Sequence, residues 1–415
     1  MQHAEHHSTA LLLAVIALLA SCQRPAIGEQ PATTNTAAVS PRTAWPVTGD
    51  PFPAELLSVD SNWNVRFSAA QGERSIPAAE LVCWGNPAEA QGPQLVFSGG
   101  DLLVGEVQSA DQDQSEVLSA TFGRVSVPLE LLRGIVFQPP ADRALRHQLA
   151  FKLLSSTDKT DRLLLENGDE LTGTIQGLSR RESDDQLEVR LQSAAGTVNV
   201  PAERIAALIF NPALAAPRET SGLRSIVGFR DGTLLTADSL VVDQGKARLK
   251  VAEGLSVEAA SDEIVSLQTV GGQAVYLSDL KADSYRHVPF LNVPWPYHAD
   301  RNAEGGRLRC GGRLYIKGLG MHSAARLTFA LDRPYQRFEA ELGIDDVTDR
   351  RGSVTFRVFV DGQQKYQSPN VRGGDPPVRA SVDLAGGRQL SLVVDYGEWG
   401  DQRDLADWLN ARLVP

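Results

Sequence analysis

The chain has 415 residues, of which 42 % are hydrophobic and 22 % are charged. This length and composition are typical of a globular protein with two to four domains and exclude a chain that is disordered overall. The formal net charge of −11 at pH 7 argues against a nucleic-acid partner, because such proteins present a basic stripe.

The first 21 residues predict a signal peptide. Residues 10–20 are an uninterrupted apolar run, which has signal-peptide length and falls short of the ~20 residues needed to cross a bilayer. The sequence Leu19-Ala20-Ser21-Cys22 resembles the bacterial lipobox, in which the cysteine is lipidated. We therefore expect an exported protein anchored to the membrane at the cell envelope through Cys22. The leader has no Lys or Arg before the apolar run, so an ordinary signal, giving a periplasmic or secreted protein, is the alternative.

Residues 22–53 predict a flexible tether. This segment is rich in Pro, Thr, Ala and Gly and lacks apolar periodicity. Such a composition cannot bury enough apolar surface to fold.

The region that follows repeats itself. The sequence GDLLVG at 100–105 matches GDELTG at 168–173 and, more weakly, GTLLTA at 232–237. Downstream, Pro128 and Pro201 each stand nine residues before a Phe that ends a short apolar run. We expect three or four small barrels of the SH3 or Sm type. The predicted ranges are 54–141 for repeats 1 and 2, 162–216 for repeat 3 and 223–270 for repeat 4.

Residues 142–161 predict a helical connector. The only convincing amphipathic helix of the sequence, residues 143–154, lies here between repeats 2 and 3. We expect it to pack across a domain junction, and a partner-binding helix is the alternative.

Residues 272–415 predict a β-sandwich that binds rather than catalyses. Apolar residues nearly alternate in 326–331, 354–360 and 390–396, which is the period of strands with one buried face. Gly and Asp at 361–362, 373–375 and 386–387 predict the connecting turns.

The same region contains five motifs in a characteristic order. They are VYLSDL at 275–280, KGLGMHS at 317–323, GIDD at 343–346, FRVFVDG at 356–362 and DLADWLNARL at 404–413. In this order and spacing they resemble NPCBM, the carbohydrate-binding module found beside catalytic domains in family-98 glycosyl hydrolases. The resemblance implies a galactose-binding-like jelly roll and a carbohydrate ligand. The family pattern usually has a His where this chain has Leu405.

Sugar recognition needs an aromatic face against the C–H face of the ring and planar polar side chains for the hydroxyls. The segment 396–404 offers both, and its candidate binding residues are Trp399, Asp401, Arg403 and Asp404. The Pro-bounded segment 295–301 is the second candidate, with Trp295 and Tyr297. For either segment the alternative is an edge that only covers the core.

Asp345 and Asp346 are a third candidate, because they follow a predicted strand and could contact a sugar or calcium. The alternative is that they hydrogen-bond their own turn. His322 follows two glycines and is expected to be a structural residue. The Asp407-Trp408 pair is expected to bury an indole whose N–H is satisfied locally.

No catalytic constellation is recognisable. Outside the leader there are four histidines, and none has a two-His metal spacing such as HExxH. The chain also lacks a Gly-x-Ser-x-Gly elbow and a phosphate-binding loop. Cys83 and Cys310 lie in separate predicted domains and are expected to be buried and unpaired. We expect a non-enzyme without cofactors, in which a structural calcium ion is plausible.

Three functions follow from these observations. The first is an exported, membrane-anchored carbohydrate-binding protein. The second is a protein-interaction scaffold of the cell envelope in which sugar binding is vestigial, and Leu405 favours it. The third is a glycoside hydrolase with an unrecognised active site, which would need two carboxyl groups roughly 5–9.5 Å apart.

Overall fold

The computed structural model describes residues 42–216, 221–290 and 293–415. The predicted signal peptide (1–21) and the predicted lipidation site Cys22 lie outside these residues. In the described part of the chain the fold is all-β apart from one α-helix and several 3-10 turns, which confirms the predicted fold class. None of the helices described is both long and apolar enough to cross a membrane.

Four repeats fill the N-terminal region. Repeat 1 contains β1 (Thr43–Pro46), β2 (Phe52–Val59), β3 (Asn64–Ala69), β4 (Gly72–Pro77) and β5 (Leu81–Gly85). Repeat 2 contains β6 (Gln94–Phe97), β7 (Leu102–Val104), β8 (Glu106–Ala110), β9 (Gln114–Ser119), β10 (Gly123–Pro128) and β11 (Leu132–Val136). Repeat 3 contains β12 (Asp161–Leu165), β13 (Glu170–Arg180), β14 (Leu187–Ser193), β15 (Gly196–Pro201) and β16 (Ile205–Ile209). Repeat 4 contains β17 (Arg224–Phe229), β18 (Leu234–Ala237), β19 (Ser239–Asp243), β20 (Lys246–Ala252), β21 (Leu255–Ala260) and β22 (Ile264–Val270).

Each repeat closes into a small barrel because its last strand pairs with its first. β5 pairs with β1, β11 with β6, β16 with β12 and β22 with β17, in every case antiparallel. A 3-10 turn separates the last two strands of each repeat. This order of strands gives the SH3- or Sm-like barrel expected from the sequence.

The residue before that 3-10 turn has one conformation in all four repeats. Pro77, Pro128 and Pro201 have φ between −58° and −56° and ψ between 129° and 134°. Repeat 4 has Ala260 at this position, with φ −67° and ψ 139°. The last repeat therefore keeps the turn although it lacks the proline.

Repeat 1 begins earlier than predicted. β1 and the start of β2 lie inside 22–53, the range predicted as a tether, and Trp45 is buried. Gly49, with φ 93°, occupies the first turn of its repeat, and φ lies between 88° and 91° at the corresponding Gly100, Gly168 and Gly232. The tether prediction is therefore wrong for residues 43–53, because a strand of four residues is too short to show a periodic pattern.

The repeats are joined in pairs through their last strands. β5 of repeat 1 pairs with β22 of repeat 4, and β11 of repeat 2 pairs with β16 of repeat 3. A single hydrophobic cluster contains buried residues from all four repeats. The repeats therefore share one core instead of forming four separate ones.

The α-helix, α1 (Arg143–Ser155), lies within the predicted connector. Its first turn is capped by Asp142, whose side chain accepts a hydrogen bond from the Leu145 N–H at 2.9 Å. Leu153 is buried in a cluster with residues of repeats 2 and 3. Phe151 contacts His298 of the C-terminal region, with ring centroids 5.5 Å apart. The helix therefore packs between the repeats and the C-terminal region.

The C-terminal region is a sandwich of two six-stranded sheets. The first sheet contains β23 (Val275–Tyr276), β25 (His298–Ala299), β28 (Gly318–His322), β30 (Arg337–Ile344), β34 (Val378–Asp383) and β36 (Leu405–Val414). The second contains β24 (Ser284–His287), β29 (Ala325–Ala330), β31 (Ser353–Val360), β32 (Gln363–Gln367), β33 (Val371–Arg372) and β35 (Gln389–Tyr396). The short strands β26 (Arg309–Cys310) and β27 (Arg313–Leu314) pair with each other.

Trp408 lies in the core between the two sheets. It is fully buried and contacts Phe338 and Phe356, with ring centroids 6.1 and 5.0 Å apart. Its indole N–H has no hydrogen-bond partner, so the expectation that this group is satisfied locally is wrong. The ring is held by packing alone.

The repeats and the sandwich share a buried interface. The Tyr276 hydroxyl accepts a hydrogen bond from the Gln268 side chain at 2.6 Å and donates one to the Val82 carbonyl at 3.1 Å. Trp45 of repeat 1 and Val414 of the last strand belong to the same apolar cluster as Tyr276. Hydrophobic packing and buried hydrogen bonds therefore fix the sandwich against the repeats.

Candidate functional site

Two of the predicted segments meet at one end of the sandwich. One is the segment after β24, which contains Trp295, and the other is the loop 397–404 between β35 and β36. Their meeting point is His322, the last residue of β28, which is 6 % exposed. Trp295 stacks on His322 with ring centroids 5.3 Å apart and 10° between the planes.

A second histidine completes this cluster. The ring of His287, the last residue of β24, lies edge-on to His322 with centroids 5.7 Å apart. Its Nδ1 accepts a hydrogen bond from the backbone N–H of Trp295 at 3.1 Å, which holds both residues in place. Because Nδ1 accepts, the proton of neutral His287 lies on Nε2.

The electrostatics of the cluster favour neutral imidazoles. Burial lowers the pKa of His322, and the neighbouring His287 lowers it further. Burial likewise lowers the pKa of His287, whereas the charge of Asp401 opposes the shift at both rings. At neutral pH the two rings therefore offer uncharged donors and acceptors beside one carboxylate.

The loop 397–404 is anchored at its base and exposed at its tip. The backbone N–H of Gly397 donates to the Ser353 carbonyl at 2.7 Å, and the N–H of Glu398 donates to the Ser353 hydroxyl at 3.0 Å. Arg372 donates from Nε to the Glu398 carboxylate at 3.0 Å. Trp399, the next residue, is 58 % exposed. A rigid base therefore presents an indole to solvent.

Asp404 ends this loop as a buried carboxyl group. Its Oδ1 accepts a hydrogen bond from the Ser353 N–H at 2.9 Å, and its Oδ2 has no hydrogen-bond partner. Burial raises the pKa of Asp404 to about 6, against the opposing effect of the Ser353 N–H, and the charge of Asp401 raises it further. Asp404 is thus partly protonated in mildly acidic solution.

Exposed apolar side chains concentrate around these two segments. Five of the ten large apolar side chains that are exposed in the described chain lie here: Val288, Phe290, Val293, Tyr396 and Trp399. Isolated exposed apolar residues are ordinary, but a group of them marks a surface that binds something. Together with the two histidines and Asp401, this surface can take a ring that has one apolar face and several polar substituents.

Asp345 and Asp346 are used elsewhere. Asp345 accepts hydrogen bonds from the Val347 and Arg309 N–H groups, both at 2.9 Å. Asp346 accepts them from the N–H groups of Gly311 and Gly312 at 3.0 and 2.8 Å. Among the described contacts, neither carboxylate reaches Trp295, Trp399 or Asp401. Asp345 therefore hydrogen-bonds its own turn, as the alternative predicted, whereas Asp346 hydrogen-bonds the distant backbone of Gly311 and Gly312.

Asp407 joins Asp345 in a buried pair. Asp407 is fully buried, and its carboxyl group shares a hydrogen bond with that of Asp345. Burial raises its pKa well above the ordinary value, and the neighbouring Asp345 raises it further. Asp407 is therefore the protonated member of the pair.

The two other predicted residues have structural contacts. Tyr297 packs against Tyr285 at the margin of the sandwich core, with ring centroids 5.1 Å apart. Arg403 donates to the Val347 carbonyl at 3.4 Å and lies 3.6 Å from Glu304. Of the eight predicted site residues, the structure brings Trp295, Asp401 and Asp404 to one place, next to Trp399 in the same loop.

The two histidines of this cluster were not among the predicted site residues. His287 was assigned no role, and His322 was expected to be structural. No local signal distinguishes them, because they come together only through the pairing of β24 with β29 and of β28 with β36. Among the residues described, no three His, Cys, Asp or Glu side chains are grouped as metal ligands.

Comparison with known proteins identifies the sandwich. Residues 273–414 match the family model of the NPCBM/NEW2 domain, as the resemblance of the sequence motifs predicted. Over 111 residues the chain is 32 % identical to "Putative endo-alpha-N-acetylgalactosaminidase" of Renibacterium salmoninarum, a match that covers 27 % of this chain and 7 % of that protein. Over 115 residues it is 31 % identical to "Alpha-1,3-galactosidase B" of Akkermansia muciniphila, covering 27 % of this chain and 14 % of that protein. The chain thus spans only a small part of these curated relatives.

A solved structure is similar to part of the chain. It is the CBM51 module of GH95 from Clostridium perfringens in complex with methyl-galactose. Its sequence identity is 26 %, and the alignment covers 34 % of this chain and 99 % of that chain, with a TM-score of 0.31.

Proposed function

We propose that this protein binds carbohydrate at the surface around Trp295, His322 and Trp399, without catalysing a reaction, and that it does so while anchored at the bacterial cell envelope. The stacked Trp295–His322 pair beside the anchored Trp399 loop carries the proposal. A pyranose ring has an apolar C–H face that packs on an indole, and its hydroxyls need the planar polar groups that His287, His322 and Asp401 provide.

The names of the two curated relatives suggest which sugar to test. Both refer to enzymes that act on galactose or N-acetylgalactosamine linkages, and the matched segments lie in the sandwich. We therefore propose a terminal galactose or N-acetylgalactosamine as the ligand class. The activities of those whole proteins are not transferred, because the matched segments are 7 % and 14 % of their lengths.

The carboxyl groups of the sandwich support a non-catalytic role. A glycosidase needs two carboxyl groups that flank the scissile bond. Asp345 and Asp407 are both buried, and Asp346 is engaged by backbone N–H groups. Release of reducing sugar from a panel of polysaccharides by the unaltered protein, lost in an Asp345→Asn/Asp346→Asn variant, would support a hydrolase instead.

A glycan array that includes galactose- and N-acetylgalactosamine-terminated glycans tests the binding proposal. The full chain should bind at least one glycan class, and Trp399→Ala should abolish that binding. Leu214→Ala is the matched control, because Leu214 is an exposed apolar residue of the repeat region, 67 % accessible. Silence of the folded, unaltered chain across the array would refute the proposal.

Anchoring is tested separately. The apolar run at 10–20 and the lipobox-like sequence ending at Cys22 support export and lipidation. Expressed in a bacterium, the chain should sediment with membranes, and Cys22→Ser should move it to the soluble fraction. Equal membrane association of the two proteins would contradict lipid anchoring at Cys22.

The scaffold alternative has one observation in its favour. Leu405 pairs directly with His322 across β28 and β36 and is buried. An apolar side chain therefore stands beside the candidate site, where the resembling family usually has a His. Capture of a cell-envelope protein that survives both Trp399→Ala and added galactose would favour the scaffold.

A further inference from the structure

A cavity of about 430 Å³ lies between the repeats and the sandwich, apart from the surface around Trp295. Repeat 2, repeat 4, helix α1 and the 299–317 segment of the sandwich all contribute to its wall. Its apolar lining includes Leu102, Leu149, Leu154 and Leu234. This volume is in the range of sites that hold small organic molecules, which are typically about 300–1,000 Å³.

The charged groups of the cavity are unevenly matched. The cationic side chains that line the cavity are Arg146, Arg301, Arg307 and Lys317. The carboxylates that line it are Glu89, Asp101 and Asp300. Each carboxylate already has partners. Glu89 pairs with Arg309 and lies 3.8 Å from Arg146, and Asp300 lies 2.6 Å from Lys317. Asp101 accepts hydrogen bonds from the Thr236 N–H and hydroxyl at 2.8 and 2.6 Å.

Arg307 is the cation that remains without a partner. Among the residues described, its guanidinium makes no hydrogen bond and has no carboxylate within 4.0 Å. Burial lowers the pKa of Arg307 to about 10, and the charge of Arg301 lowers it further. A guanidinium with this pKa stays charged at neutral pH, so the protein holds a half-buried positive charge that it does not neutralise itself.

Two further polar groups of the same cavity make no hydrogen bond among the residues described. The Tyr315 hydroxyl makes no hydrogen bond, although Tyr315 is only 4 % exposed. The Nε2 of His147 on α1 is buried and makes no hydrogen bond either, although it lies 3.8 Å from the Glu89 carboxylate. Burial and then the charge of Arg307 lower the pKa of His147 to about 4, so the ring is neutral and can donate one hydrogen bond. Buried polar groups are nearly always satisfied, so these two groups and the unpaired guanidinium of Arg307 favour a common partner in the cavity.

We propose that this cavity binds a small organic anion, whose carboxylate, sulfate or phosphate group faces Arg307 and whose apolar part lies along the leucines of α1. Such a group accepts hydrogen bonds from the guanidinium, from the Tyr315 hydroxyl and from a protonated nitrogen of His147. An uncharged sugar would leave Arg307 without a counter-charge. The ligand therefore belongs to a different class from that of the surface around Trp295, and it would bind where the repeats meet the sandwich.

Thermal unfolding of the full chain tests this site with three probes, sodium sulfate, sodium phosphate and sodium benzoate. Each is added at constant ionic strength, with sodium chloride as the reference salt. At least one probe should raise the Tm above its chloride reference in a saturable way, because a ligand of the native state stabilises it by mass action. Calorimetric titration with that probe then gives a Kd, which Tyr315→Phe should weaken several-fold.

Arg307→Met is the decisive variant, and Arg388→Met is its matched control, since Arg388 is exposed in the sandwich and its side chain makes no hydrogen bond or ion pair. Arg307→Met should fold, because it replaces an uncompensated charge by an apolar side chain of similar length, and it should lose the anion-dependent rise in Tm. Arg388→Met should keep it. A Tm that none of the three probes raises, or a rise that persists in Arg307→Met, would overturn the proposal. If Arg307→Met fails to fold, a Kd unchanged by Tyr315→Phe would overturn it equally.

Discussion

Trp295 and His322 lie face to face, with 10° between their ring planes, although they belong to different segments that meet at one end of the sandwich. One face of the His322 imidazole is therefore covered. Trp295 is held both by this contact and by the hydrogen bond that its backbone N–H donates to His287 Nδ1 at 3.1 Å. An aromatic platform that is fixed before the ligand arrives loses little side-chain entropy on binding. This preorganisation makes Trp295 the more informative of the two tryptophans to alter.

Trp295→Ala should raise the Kd for sugar by about tenfold or more. The substitution removes a stacking contact and loosens the His322 ring, which together should reduce the binding free energy by roughly 1.5 kcal/mol. Trp295→Phe keeps a flat ring and should lose less. The measurement is calorimetric titration of the full chain with the best glycan from the array. Tyr297→Phe is the control, because Tyr297 packs at the core margin and should bind as the unaltered protein does. Equal affinities of Trp295→Ala and the control would remove Trp295 from the site.

Asp404 should make the stability of the protein depend on pH. The pKa of Asp404 in the folded protein is about 6, above the ordinary value of 3.8. Between about pH 4 and pH 6, Asp404 is therefore protonated in the native state and ionised in the unfolded chain. The free energy of unfolding therefore falls as pH rises through this window, by up to about 3 kcal/mol from this group. Asp404→Asn keeps an oxygen for the Ser353 N–H and removes the titration.

Urea unfolding at pH 4, 5, 6 and 7 measures this effect. Relative to the unaltered chain, Asp404→Asn should gain stability as the pH increases. Asp50→Asn, at an exposed loop position, should follow the unaltered profile. Parallel profiles for Asp404→Asn and the unaltered protein would show that Asp404 titrates normally.

The Asp345–Asp407 pair predicts opposite outcomes for two similar substitutions. Asp407→Asn should be neutral or stabilising at pH 7, because an asparagine amide can keep the hydrogen bond that the protonated Asp407 donates to Asp345 and cannot become a buried charge. Asp345→Asn should lower the free energy of unfolding by roughly 1–3 kcal/mol. Two backbone N–H groups donate to the Asp345 carboxylate, and in the variant one of them would face the N–H donors of the asparagine amide. Denaturant unfolding of the two variants compares them directly. Greater destabilisation by Asp407→Asn would mean that Asp407 carries the charge.

The repeats were predictable because two features recur at a nearly fixed spacing. The turn glycine precedes the residue before the 3-10 turn by 28 positions in repeats 2 and 4 and by 33 in repeat 3. Gly49 precedes Pro77 by 28 positions as well, so the full first copy was present in the sequence. It was missed because the segment before Pro53 has a composition typical of a tether. The joining of β5 to β22 could not be predicted, since it depends on how distant repeats pack.

The candidate site was predictable only in parts. Aromatic and polar residues in one loop pointed to Trp399 and Asp401, and a Pro-bounded aromatic segment pointed to Trp295. That these segments share the same two histidines follows from strand pairing, which a sequence does not display. Asp345 and Asp346 contact backbone N–H groups away from this place, and a sequence does not distinguish such carboxylates from carboxylates that bind a ligand.

Tyr276 should stabilise the interface between the repeats and the sandwich. Tyr276→Phe removes the hydroxyl that accepts from Gln268 and donates to the Val82 carbonyl, and leaves a buried donor and a buried acceptor short of a partner. The expected loss is about 1–3 kcal/mol in the free energy of unfolding. Tyr366→Phe is the matched control, because Tyr366 is half-buried and its hydroxyl makes no hydrogen bond to the described protein. Equal urea midpoints for the two variants would show that the Tyr276 hydroxyl contributes nothing.

Ala260→Pro should stabilise the protein. Ala260 already has the backbone conformation of Pro77, Pro128 and Pro201, and it occupies the same place in its repeat. Those prolines show that the barrel does not need an N–H at this position. Proline there restricts the unfolded chain, which is worth about 0.4–1 kcal/mol.

Ala259→Pro is the control for this substitution. Ala259 is the preceding residue of β21, it is buried, and it pairs with Ala247 of β20. A proline at that point in a strand is expected to cost stability, because it lacks an N–H and its ring must fit a packed position. The two variants differ by one position, so opposite shifts in the urea midpoint would show that the conformation before the 3-10 turn is a property of the repeat and not of its proline. A loss of stability in Ala260→Pro would mean that the fourth repeat uses the Ala260 N–H and is not equivalent to the other three.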